Sequence, residues 1–322
     1  MRLRTTNITA RRTLSALFMI ALLCVLGVLS HAAPQAKQQP AQSTQKAFNT
    51  AEEAAKALVE AADTYDVPAL LEILGSDGQD LVASEDPAQD KNRAAAFAAL
   101  AREKAFVTTD SSNRRAELTV GNDGWPLPIP IVKRSGKWYF DTKAGRQEIL
   151  FRRIGENELD AIQICRGFVE AQHEYAADKH DGSELNQYAQ RIISTAGKQD
   201  GLAWQNADGS WGGPVGEGAA KAIEQGYTAG QPYHGYYFKV LKGQGPAARM
   251  GEMDFVVNGV MIGGFALVAA PAQYRVTGVK TFMVSHDGIV YEKDFGPDTP
   301  TVFKNMERYN PDKTWRRTDE GL

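Results

Sequence analysis

The stretch "RAELTVGNDGWPLPIPIVKRSGKWYFD", Arg115 to Asp141, decides the fold class of the first half of this 322-residue chain. Ala116, Leu118 and Val120 alternate with charged or polar neighbours, the period of a strand with one buried face. Gly121-Asn122-Asp123-Gly124 then turns the chain. Leu127, Ile129 and Ile131 alternate again, but Pro126, Pro128 and Pro130 have no N–H to give to a ladder, which predicts an edge strand. Ser135-Gly136 leads into the next strand, Lys137-Trp138-Tyr139-Phe140. An antiparallel meander follows from these signals.

Upstream of the meander, Thr50 to about Lys104 has helical spacing. Ala55, Leu58, Val59 and Ala62 form one apolar stripe, and Val67, Leu70, Leu71 and Leu74 a second, closed by Gly75. Phe97, Leu100 and Ala101 mark a third helix. Downstream, a long helix is expected from about Glu156 to Ala177, with Leu159, Ile162, Cys165, Phe168 and Val169 on one face. Residues 200–235 read as glycine-rich loop. Strand-like runs follow at 235–241, 253–257 with 265–269, and 279–284, the last turning through His286-Asp287-Gly288 into Ile289-Val290-Tyr291. Thr299-Pro300 begins a last short helix ending near Arg308.

The N-terminus carries an address. Arg2, Arg4, Arg11 and Arg12 precede an apolar run from Leu14 to Leu29, and Ser30-His31-Ala32 offers a small-x-small cleavage site. That is a signal-peptide layout, and a 16-residue run is short for a span of roughly 20 residues. We read residues 1–32 as signal peptide, 33–47 as flexible linker, 48–150 as an α+β domain and 151–322 as a helix with an antiparallel sheet. The expected location is the periplasm or envelope, with no stable span after cleavage. Leu23 before Cys24 breaks a lipobox, and Cys165 is then the only thiol, so no intramolecular disulfide forms. Four arginines and no acid fall in residues 1–32. The chain's 36 basic and 39 acidic residues therefore become 32 against 39, a formal charge of −7. With no basic tract left, nucleic acid is a poor partner. A protein or cell-wall component fits better.

Helices followed by a meander ending in "GKWYFD" resemble the nuclear-transport-factor-2-like cone, a fold that hosts both enzymes and binding modules. "PYHGYYFKVLKGQG" at 232–245, "GGFALVAAPAQY" at 263–274 and "DGIVYEKDFG" at 287–296 resemble a bacterial family of exported proteins catalogued as domain of unknown function 2950. That resemblance brings no activity with it. A second one is to the globular heads of type IV pilins and pseudopilins. It rests on Gly235-Tyr236-Tyr237-Phe238, on Phe265 to Pro271, on Thr277 to Phe282 and on Asp287-Gly288-Ile289, all following a long helix. The pilin processing signature is absent from the sequence. The fold class is thus α+β, nuclear-transport-factor-2-like first and pilin-head-like second.

Chemistry is sparse. His173-Glu174 begins a zincin pattern that Ala177 ends, which leaves His173 and His180 as surface histidines at a helix end. Cys165 sits on an apolar face and reads as an inert thiol. There is no Gly-x-Ser-x-Gly elbow. Gly243 to Ala248 imitates a dinucleotide loop but precedes another strand, so no nucleotide cofactor is expected. Asn206, Asp208, Ser210 and Glu217 have calcium-loop spacing, with Trp211 where an EF-hand requires glycine. The densest candidate is aromatic. Trp204, Trp211, Tyr227, Tyr233, His234, Tyr236 and Tyr237 lie within 34 residues, and such rings suit a ligand surface. Strand alternation should split Tyr236 from Tyr237, one inward and one outward. A non-enzymatic binding module is the leading expectation. The alternatives are an envelope hydrolase acting through Glu174, Asp208 or Glu217, and a scaffold for a pilus or secretion apparatus.

Overall fold

Four helices open the described chain, α1 (Ala51–Asp63), α2 (Val67–Leu74), α3 (Gln79–Val82) and α4 (Pro87–Glu103); the apolar spacing places α1, α2 and α4, and the one-turn α3 is additional. A computed structural model describes residues 45–228 and 230–318; the signal peptide, Cys24 and most of the linker lie outside the described residues. Of the four helices, α1, α2 and α4 each start on a side-chain cap. Thr50 Oγ1 accepts from Glu53 N at 3.0 Å, Asp66 from Ala69 N at 3.1 Å and Asp86 from Gln89 N at 3.0 Å. These bonds satisfy amides that have no intrahelical partner.

The meander follows as β1 (Ala105–Thr109), β2 (Arg115–Val120), β3 (Trp125–Pro126), β4 (Ile131–Arg134) and β5 (Lys137–Phe140). All its pairings are antiparallel, in the order β1-β2-β4-β5, with β3 on β2. The proline run departs from the expected edge strand. Residues 127–130 belong to no strand, and β4 lies inside the sheet. Leu127 N still donates to Leu118 O at 2.8 Å, but prolines 128 and 130 cannot continue the ladder. The segment is instead buried under the next helix, with Leu127 and Ile129 in the core. A Cβ at Gly145 would collide with the Pro128 carbonyl, so glycine permits this close approach.

That helix, α5 (Thr142–Tyr175), starts 14 residues before the expected Glu156, so the expected boundary at residue 150 falls within it. Its buried face runs through Asn157, Ala161, Cys165, Phe168, Gln172 and Tyr175. Leu159, expected on that face, is 65 % exposed. The reason is angular: steps of three residues fall about 60° short of a turn, so Leu159 and Cys165 point about 120° apart.

The remaining elements are β6 (Arg191–Ile193), β7 (Gly201–Gln205), β8 (Trp211–Gly212), α6 (Gly216–Glu224), β9 (Tyr236–Leu241), β10 (Gly243–Gln244), β11 (Met253–Asp254), β12 (Val256–Val257), β13 (Val260–Met261), β14 (Ala266–Pro271), β15 (Thr281–Ser285), β16 (Tyr291–Lys293), α7 (Thr299–Asn305) and β17 (Arg316–Arg317). The segment read as loop therefore contains a small hairpin and a helix. The main sheet is antiparallel in the order β17-β16-β15-β14-β9. Both α5 and α7 pack on β14, which explains why it is a continuous apolar run with every residue buried. Two hydrophobic clusters result, one spanning Phe48 to Phe140 and one spanning Ala161 to Trp315. No helix among the described residues is long and apolar enough to cross a membrane.

Candidate functional site

The first cluster carries a solvent-open pocket of about 470 Å³ between α1, α2, α4, the proline run and the start of α5. That volume lies within the range of small-molecule pockets, roughly 300–1,000 Å³. Leu58, Leu70, Leu74, Phe97, Leu127, Ile129 and Ile149 make an apolar wall. Leu100 and Trp125, both partly exposed, also border it, with the Arg152 guanidinium 5.3 Å from the Trp125 ring centre.

Polar groups of the lining come from α4, α5 and the α1–α2 link. Arg153 is 6 % exposed and donates through Nη1 to Asp80 O at 2.6 Å and through Nη2 to Leu81 O at 2.7 Å. Its nearest acid atom, Asp90 Oδ1, is 3.7 Å away, an ion-pair distance but too long for a hydrogen bond. Asp90 Oδ2 accepts from Ser84 N at 2.5 Å. Burial pushes the Asp90 carboxyl up and the Arg153 guanidinium down, so desolvation outweighs their attraction. Tyr65, whose hydroxyl donates to Val82 O at 3.0 Å, is pushed up to about 12, by burial first and by Asp90 second. Arg153 Nε is buried and has no hydrogen-bond partner.

One turn further along α5, the polar groups meet one another. Asn157 Oδ1 accepts from Gln89 Nε2 at 3.0 Å and from Arg93 Nη2 at 2.9 Å, while its Nδ2 donates to Thr277 O at 2.8 Å. Asp86, fully buried, accepts from Gln89 N and, at 2.7 Å, from Gly235 N. Burial raises its carboxyl against the pull of these two bonds. Gly235 belongs to a hairpin turn in which His234 (φ 49°) and Gly235 (φ 76°) both take the left-handed conformation of a type I′ loop. This joint ties α4 and α5 to the start of β9.

The aromatic residues singled out in the sequence divide at this turn. Tyr236 is fully buried and donates to Lys280 O at 2.9 Å, so it is core and not ligand surface; Tyr237 is half-buried and stacks on Phe303 at 6.4 Å, as strand alternation requires. Tyr233, His234 and Tyr227 form one ring cluster with centroids 4.3–5.9 Å apart, and His234 Nδ1 stands 2.5 Å from Asp160 Oδ2. Trp204 packs against the second hydrophobic cluster, and Trp211 is half-buried beside Gly216. Neither indole borders the cavity.

Asn206, Asp208 and Ser210 occupy the β7–β8 turn and bond to one another. Asp208 Oδ1 accepts from Ser210 N at 3.0 Å and Ser210 Oγ at 2.6 Å, and Asn206 Nδ2 donates to Ser210 Oγ at 3.0 Å. Glu217 is exposed in the first turn of α6. Among the described residues, no group of three or more His, Cys, Asp or Glu side chains is placed to hold a metal. His180 is not a surface residue as expected: it is buried between Tyr175, stacked at 3.9 Å, and Trp204, and its Nε2 faces Tyr175 O at 2.9 Å. Cys165 is buried, and desolvation pushes its thiol up to about 12.

The sequence reading missed Asp90, Arg153 and Asn157. A signal was present, because Arg153 and Asn157 fall on the same helical period as the buried Ala161 and Cys165. That pattern becomes visible only when α5 is extended back to Thr142.

The chain matches the family model described as protein of unknown function (DUF2950) over residues 45–318, and it belongs to that family. No curated protein and no solved structure matches it.

Proposed function

We propose that this DUF2950 member is an exported, non-enzymatic binding module that takes a small, largely apolar ligand into the cavity of its N-terminal half. The observation that carries the reading is the cavity itself, about 470 Å³ with a mainly apolar wall and a few convergent polar groups. Export is supported by the charge and apolar pattern of residues 1–33. The open pocket leaves an apolar wall facing water, and a ligand seated there would remove that surface from water. The alternatives raised by the sequence, hydrolysis by acidic side chains and scaffolding of a secretion apparatus, lack a comparable observation. Glu174, Asp208 and Glu217 are each exposed, and none borders the cavity.

The test is a titration with a neutral environment-sensitive fluorophore, N-phenyl-1-naphthylamine. Saturable enhancement at one site per chain, lost in Ala94→Phe while circular dichroism is unchanged, is the expected result. Ala94 borders the cavity, so a phenyl ring there occupies the ligand's space. Equal binding by the folded Ala94→Phe variant, or no binding by the native protein, would overturn the reading.

A further inference from the structure

We propose that β1 is an interface between copies of this chain: two molecules pair their β1 strands antiparallel about Val107, joining their N-terminal sheets into one. This interface needs neither the pocket nor its ligand.

β1 is the last strand on one side of its sheet, with β2 as its neighbour. Lys104 O accepts from Gly121 N at 2.9 Å, and Asp110 N donates to Arg115 O at 2.8 Å. In the observed register, the even-numbered residues of β1 therefore bond to β2, and Ala105, Val107 and Thr109 turn their N–H and C=O groups outward. Among the described residues those outward groups have no hydrogen-bond partner. The strand is exposed except at Val107, which is half-buried.

A free edge of this kind pairs with another strand unless it is protected. The other edges are protected. Phe48 covers β5 by exchanging hydrogen bonds with Trp138 at 3.0 and 2.9 Å, β17 is only two arginines long, and β9 carries Lys239. β1 reads Ala-Phe-Val-Thr-Thr, with no charge, proline or glycine, and its Phe106 is 56 % exposed.

The symmetry of the flanks selects a second copy as the partner. Antiparallel pairing about Val107 sets Ala105 of each copy against Thr109 of the other, and the outward groups exchange hydrogen bonds. It also sets Phe106 against Thr108, and Lys104 against Asp110. These last two pairs are of the non-hydrogen-bonded kind, whose side chains come closest. The backbone of Lys104 is extended and continues the strand. Hydrogen bonds, that from Arg114 N first, hold the exposed Asp110 carboxyl below the ordinary carboxylate value, so it is charged at neutral pH. Each end of the paired ribbon thus joins opposite charges. On the helix side, the added strand lies over an open groove of about 440 Å³ lined by Ala55, Val59 and Leu118.

Sedimentation equilibrium of the native protein should show a reversible monomer–dimer equilibrium, weak for so short a pairing, with Kd roughly in the micromolar range. Thr109→Pro deletes an outward N–H in each copy and leaves the β1–β2 ladder intact, so Kd should rise about tenfold or more with circular dichroism unchanged. Lys104→Glu puts like charges at both ends and should weaken the dimer too. Val107→Cys sets a thiol against its own copy, with Cα atoms about 5.5 Å apart, and should give a disulfide-linked dimer under mild oxidation. Phe106→Cys, which faces Thr108, should link far less.

A monomer at every concentration up to about 1 mM would overturn the proposal. So would a dimer that Thr109→Pro leaves unaltered and Val107→Cys fails to link, because the copies would then meet on another face. Should Thr109→Pro not fold, the two cysteine variants decide by themselves, and equal linkage by both overturns the register.

Discussion

Arg153 and Asn157 stand one turn apart on the buried face of α5, and their surroundings are opposite. Every hydrogen-bonding atom of the Asn157 side-chain amide group is engaged by a defined partner from α4 or the Thr277 carbonyl, apart from one amide hydrogen. Arg153 has neutral carbonyls at its terminal nitrogens, an acid beyond bonding distance and nothing at Nε. The first place is a joint, where polar groups complete one another and hold two parts of the chain in register. The second is a buried charge held by neutral carbonyls, with Nε closed to solvent and unpaired. Buried polar groups are worth most when fully satisfied, so the first cluster should contribute more to stability than the second.

The comparison breaks most readily at the joint. Gly235→Ala should destabilise by about 3 kcal/mol or more, because a Cβ there combines left-handed strain with a collision against Asn157 Nδ2. Urea unfolding would measure it, and a loss below about 1 kcal/mol would show that the turn can relax. Asn157→Ala comes next. It strands the Thr277 carbonyl and the Gln89 amide in a buried site, which should cost about 2–3 kcal/mol by the same measurement.

The cavity should respond differently. Ala94→Phe adds volume to a void, so its stability should stay within about 1 kcal/mol of the native protein. A loss as large as that of Asn157→Ala would mean that the void is not available to a side chain.

The smallest effect is in pH dependence. Burial raises the Asp90 carboxyl in the folded protein, so the folded state keeps that proton to higher pH than the unfolded chain. The resulting stability is complete below the ordinary carboxylate value of about 3.9 and is lost as pH rises through the raised one. Asp90→Asn removes the contribution and preserves an oxygen for Ser84 N. Across pH 4 to 7, stability of the variant relative to the native protein should therefore increase with pH, as followed by chemical denaturation. A flat difference would place Asp90 in a more solvated site than its burial implies.

Legibility in the sequence follows the range of the interaction. The stripes of α1 and α2 and the alternation of β2 are set by neighbours three or four, or two, residues apart. The proline run was half legible: three prolines announce a missing ladder, but not that Gly145 of α5 lies on top of it. The calcium-like spacing of Asn206, Asp208 and Ser210 proved to be a turn bonding to itself, a local alternative that the same residue types favour. Tyr236 and Tyr237 obeyed alternation. The surface placement expected for His180 fails because it packs against Trp204, which reaches it from β7.

By itself the sequence determined the α+β class, the signal-like N-terminus, the family and the opposite facing of Tyr236 and Tyr237, all carried by local periodicity or by linear motifs. Tertiary structure alone decided that Asp86 meets Gly235 across 149 positions, that Asn157 is satisfied and that Arg153 Nε is buried without a partner. The physical reason is that burial and hydrogen-bond satisfaction belong to the packed chain, and a residue's own neighbours in sequence do not record which distant group will come to face it.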